Sequence, residues 1–70
     1  MHWITRNYNV AYNIAGRAAT AYQSGDISIE QLRERRAEMA ANPPDFPDAH
    51  SQSGWNDGAA WIDSIIEKAA

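Results

Sequence analysis

Residues 55–70, WNDGAAWIDSIIEKAA, decide the fold. At about 100° per residue, Trp55, Ala59, Ile62, Ile66 and Ala69 share one face of a helix, and Gly58, Trp61 and Ile65 flank it. Asn56, Asp57, Asp63, Ser64, Glu67 and Lys68 fill the rest of the circumference. An apolar stripe that wide has to be covered by other helices, so the chain reads as all-α. The start of this helix is less sharply marked. Asp48, Ser51 and Ser53 each offer an N-cap, while Gly54 and Gly58 each cost about 1 kcal/mol relative to alanine inside a helix. The expected span is about 52–69.

Working upstream, residues 42–53 (NPPDFPDAHSQS) read as a stiff, extended loop, because Pro43, Pro44 and Pro47 fix their own backbone and restrict the residues before them. Before the loop comes the clearest local signal. Ser28 stands where an N-cap belongs, and Gln31 three residues on completes a capping box. Ile27 and Leu32 are placed for a hydrophobic staple, and Glu30 suits the positive end of the helix dipole. This second helix is expected over 29–41, stopped by Asn42-Pro43-Pro44. The first is expected over about 5–24, with Thr5 as its cap and Gly25 as its left-handed terminator. Ile4, Tyr8, Ala11, Ala15, Ala18 and Tyr22 form its apolar stripe, which Val10, Ile14 and Ala21 widen. No repeat and no strand-like alternation appears. The expectation is one all-α domain of three helices spanning residues 1–70.

Seventy residues bury a small core. With no cysteine there is neither a disulfide nor a thiolate metal site to reinforce it, and chains of this size often use helix packing or oligomerisation instead. A homodimer is therefore expected. The formal net charge of −3 argues against a general nucleic-acid binder. The opening residues lack the basic and apolar regions of a signal peptide, and no stretch is apolar enough for a membrane span. The expected location is cytoplasmic.

Three features invite a functional reading. On the second helix Arg36 falls within the apolar arc of Ile29, Leu32, Met39 and Ala40, Arg33 and Arg35 sit on its two edges, and Glu30, Glu34 and Glu38 run along the far side. Long basic stems commonly cover apolar surface, and an acid on another helix would pair with Arg36. Alternatively the arginine fork meets a carboxylate or phosphate of a partner. The second feature is Trp55 and Trp61 around Gly54-x-x-x-Gly58: tryptophans at helical spacing pack cores, and exposed ones anchor interfaces. The third is the loop carrying Asp45, Phe46, Asp48 and His50. One histidine among scattered carboxylates, with no second histidine nearby and no nucleophile motif, makes neither a metal site nor a catalytic pair, so no cofactor, no metal and no enzymatic activity are expected.

Asn42-Pro43 followed by Gly54-Trp55-Asn56-Asp57-Gly58 resembles very small helical proteins encoded by phages and prophages, in which an Asn-Pro loop precedes a Gly-Trp-x-x-Gly helix. Some of those are similar to ribosome modulation factor, whose strongly basic character this chain lacks. The resemblance covers less than half the chain and carries no functional residue across. It implies an accessory protein that binds a host or viral protein, in the host cytoplasm. The sequence-based expectation is thus a non-enzymatic protein-binding module, a small phage-type inhibitor or regulator, with Arg33, Arg35, Arg36, Phe46 and Trp61 as contact residues. The alternative is a nucleic-acid-binding regulator that presents the same arginines on a helix-turn-helix-like hairpin.

Overall fold

The computed structural model describes the backbone of residues 3–69 and side chains from Arg6 onward. Four helices follow in order: α1 Trp3–Ala15, α2 Arg17–Gln23, α3 Ile29–Ala41 and α4 Ala49–Ala69. Among the described residues there is no strand. The fold is all-α, with four helices where three were expected, because the first helix is divided at Gly16. The hydrogen-bond ladder continues across the break: the Gly16 N–H donates to the Tyr12 carbonyl (2.8 Å) and the Thr20 N–H to the Gly16 carbonyl (3.1 Å). Gly16 itself sits at φ −81°, ψ 0°, which bends the axis rather than ending it. Helix α1 also begins two residues before Thr5, so Thr5 is not its cap; the side chains of Ile4 and Thr5, expected in the stripe and at the cap, lie outside the described residues.

The α2–α3 turn follows from its residues. Gly25 takes φ +82°, and the Gly25 and Asp26 N–H groups donate to the Tyr22 and Ala21 carbonyls at 3.0 and 2.9 Å, closing α2 in a Schellman arrangement. Three residues later the capping box forms. The Gln31 N–H donates to Ser28 Oγ (3.2 Å) and the Ser28 N–H to Gln31 Oε1 (2.8 Å). Helix α3 then runs over the expected residues to Asn42, whose N–H closes on the Glu38 carbonyl.

Helix α4 starts about a turn before the expected 52, which shortens the loop to residues 42–48. Asp48 is the reason. Its carboxylate accepts the Ser51 N–H and the Ser51 hydroxyl, both at 2.8 Å, satisfying donors that the first turn would otherwise leave unpaired. Those bonds hold the Asp48 carboxyl below the ordinary aspartate value, the backbone N–H contributing most and the hydroxyl next.

The largest interface is between α1 and α4, and glycine sets its distance. A β-carbon on Gly54 would stand 2.2 Å from the Tyr8 carbonyl oxygen; one on Gly58 would stand 2.6 Å from Ala15 Cβ and 3.0 Å from the Tyr12 carbonyl oxygen. Opposite them α1 presents Ala11 and Ala15, both buried. The two backbones touch along this seam, so the helix-propensity cost of the glycines is recovered as contact. At the near end of the seam Leu32 and Ile62, both at 0% exposure, pack with Ala18 and Ala19, and Tyr22, Ile27, Ile29, Met39, Trp61, Ile65 and Ile66 surround them. The core is therefore small, with two fully buried large side chains.

Candidate docking surface

Helix α3 packs on α2 and α4 but, among the described residues, makes no close backbone approach to α1. That gap leaves a groove between α1–α2 on one side and α3 on the other. Its floor is Trp55 of α4 with Ala15 and Ala18; its walls are Ile14 and Arg17 opposite Arg35, Glu38 and Met39. The hollow measures about 390 Å³. A second hollow of about 380 Å³ continues beyond Ile14, lined by Arg6, Val10, Ala11, Phe46 and Ser51. Ile14 is the ridge common to both.

Val10 and Ile14, expected to widen the apolar stripe, are instead 50% and 51% exposed. The seam explains this. Helix α4 reaches α1 over Ala11 and Ala15, and only the proline loop, through Phe46, stands beside the other edge. Along α1–α2 the residues Arg6, Val10, Ile14 and Arg17 follow at steps of four, four and three, which places them on one stripe. Two exposed apolar residues are thus bracketed by two arginines. Sequence reading missed them because Val10 and Ile14 match the helical period as well as the buried alanines do.

The residues chosen from sequence do not form one cluster. Arg36 donates through Nε and Nη2 to the two carboxylate oxygens of Asp63 at 2.8 and 3.2 Å, tying α3 to α4. Arg33 and Arg35 are exposed but lie about 160° apart around α3, so they face opposite sides. Arg35 is in the groove wall. Phe46 is half-buried against Trp55, ring centroids 5.7 Å apart and tilted by 54°, and borders the second hollow. Trp55 is half-buried too, a groove floor rather than the core residue expected. Trp61 is elsewhere: its ring lies over Gly16 and stacks parallel on Tyr12 (5.9 Å, 2°), with Tyr12 in turn stacked on Tyr8 (6.1 Å, 16°). This aromatic row covers the seam, and its end is anchored by the Tyr8 hydroxyl donating to Asp57. That bond is the first cause, and desolvation the second, of a Tyr8 pKa raised above the ordinary tyrosine value.

The carboxylates near His50 do not converge. Asp48 caps α4, Asp57 accepts from Tyr8, and among the described residues no three histidine, aspartate or glutamate side chains gather as a metal site would need. No helix among the described residues is long and apolar enough to cross a membrane. Comparison with protein-family models, with curated proteins and with solved structures finds no match to this chain.

Proposed function

We propose that this chain is a non-enzymatic protein-binding module, a small inhibitor or regulator, whose contact face is the groove between α1–α2 and α3 together with the adjoining hollow beside Phe46. The observation that carries the reading is the exposed Val10–Ile14 pair, one helical turn apart and continuous with half-buried Phe46, Met39 and Trp55. Large apolar side chains that a fold leaves together at a groove, with tryptophan and arginine beside them, have the composition of an interface centre. Relative to the sequence-based choice, the contact set becomes Val10, Ile14, Arg6, Arg17, Arg35 and Phe46. Arg36 and Trp61 pass to structural roles. The nucleic-acid reading loses its arginine cluster, since the Arg36 fork is occupied and Arg33 and Arg35 diverge. The phage-type resemblance points to the same class of binding protein and to the host cytoplasm as its place of action.

Site-specific photo-crosslinking in the cells that make the protein tests this. A photoreactive residue replacing Ile14 should yield a discrete heavier adduct. The same residue replacing Arg33, exposed about 160° around α3 from Arg35, should yield none. Equal labelling at both positions, or none at either, would remove the groove as the contact face.

A further inference from the structure

The groove has a charge that the rest of the molecule lacks. Its two hollows are lined by Arg6, Arg17 and Arg35 and by one acid, Glu38, a net of +2. The remaining sequence holds three cations and eight acids, a net of −5, from totals of six and nine. Among the described residues the arginine paired with a carboxylate is Arg36, with Asp63, and Arg6, Arg17 and Arg35 have no carboxylate within ion-pair distance. Unpaired cations concentrated around an apolar groove on an acidic protein define what complements it.

We propose that the groove receives an amphipathic helix of another protein, whose apolar side is bordered by aspartate or glutamate residues. This rests on the protein-binding reading above and specifies the partner's chemistry. Three features select the occupant. The first hollow lies between α1–α2 and α3 and is floored by Trp55 of α4, so an added helix would be flanked on both sides and supported beneath, the geometry of helix-in-groove recognition. Arg6 and Arg17 are eleven residues apart, about 16 Å along a helix, so a partner segment of about three turns spans them. Apolar anchors at positions i+4 and i+7 of that segment would meet the hollows on either side of Ile14, and acids at i and i+11 would meet the arginines. Arginine binds such carboxylates bidentately.

A second copy of this chain fits poorly. A two-fold interface through this face sets Arg6, Arg17 and Arg35 against the same three residues. An anionic bilayer also fits poorly, since a flat surface does not enter a groove ridged by Ile14 and the −5 remainder is repelled by it.

The test uses the whole chain and two synthetic helical peptides. Both carry leucines at i+4 and i+7; one has glutamates at i and i+11 and along the border, the other lysines at the same positions. Binding is followed by peptide fluorescence anisotropy. The acidic peptide should bind at least about tenfold more tightly than the basic one, and added salt should weaken it. Replacing Arg17 and Arg35 together by glutamine should cost about tenfold, and Ile14→Asp or Val10→Asp should abolish binding while circular dichroism shows unchanged helicity. Equal or tighter binding of the lysine peptide would overturn the proposal. So would no binding of the acidic peptide, binding to phosphatidylserine vesicles in its place, or a dimer in sedimentation that Ile14→Asp dissociates. If crosslinking at position 14 succeeds while the acidic peptide fails, the docking face stands and the acidic helix falls. If both fail, both readings fall.

Discussion

The two sides of α1 solve opposite problems. One side, Ala11, Ala15 and Gly16, meets Gly54 and Gly58 so closely that several of the facing backbone atoms leave no room for a β-carbon. The other, Val10 and Ile14, carries the larger apolar groups and leaves half their surface in water. A core organised by side-chain size alone would reverse them. The difference teaches that this fold is built on backbone proximity: the small residues bring α4 in, and their success there turns the bulky residues toward the open groove. Two large apolar side chains left exposed one turn apart are the reason the groove is proposed as the contact face.

The contrast is broken most strongly at the seam. Gly54→Ala puts a methyl group against the Tyr8 backbone, which cannot yield unless the helices separate. The gain in helix propensity offsets only part of this, so we expect a net loss of about 2–3 kcal/mol and a fall in Tm of roughly 10–20 °C by thermal circular dichroism. Gly16→Ala should cost less, about 1 kcal/mol, because its closest neighbour is the Trp61 ring, which can shift. A Gly16→Ala variant as unstable as Gly54→Ala would mean that the aromatic row is as rigid as the backbone.

Asp48 makes the groove end sensitive to acid. The lowered Asp48 pKa means its contribution is complete above the ordinary aspartate value and is lost as pH falls through the lowered one. Acid should therefore loosen the first turn of α4, beside Phe46 and Ser51, before the seam opens. Amide hydrogen exchange at residues 49–52 against residues 56–60 would show that order, and Asp48→Ala should produce the same local loosening at neutral pH. Tyr8 works in the other direction. Its raised pKa means its contribution is complete below the ordinary tyrosine value and disappears as pH rises through the raised one, so Tyr8→Phe should flatten the alkaline decline in Tm.

Smaller effects belong to the exposed contacts. The Arg36–Asp63 pair is 27% and 56% exposed, and a double-mutant cycle with Arg36→Ala and Asp63→Ala should give a coupling of about 0.2–1 kcal/mol that salt diminishes. Ile14→Ser should change stability by no more than about 0.5 kcal/mol, while removing the peptide binding described above. A large loss of stability would move Ile14 into the core and close the comparison between the two sides.

Where the deciding interactions lie within a few residues, the sequence was legible. Ser28 and Gln31 bond each other three positions apart, and Gly25 terminates α2 through its own conformation, so α3 falls over 29–41 as expected. The Asp48 cap was visible as one of three candidates, and the glycines that made the start of α4 doubtful are the residues the α1 contact requires. The proposed contact face differs from the sequence-based choice. Arg36 stood out for its place in an apolar arc, and it is the arginine already engaged by an acid 27 residues away.

By itself, then, the sequence determined the helical class, the caps and turns, and which positions are apolar, because each depends on backbone geometry and on periodicity along a single helix. Tertiary structure decided which apolar positions are inside. Val10 and Ala11 are neighbours with equal claim to a helical stripe; helix α4, drawn in over Gly54 and Gly58, covers the alanine, and the valine lines the hollow beside Phe46 with half its surface in water. That outcome depends on how closely two distant segments approach each other, a distance that no local pattern encodes.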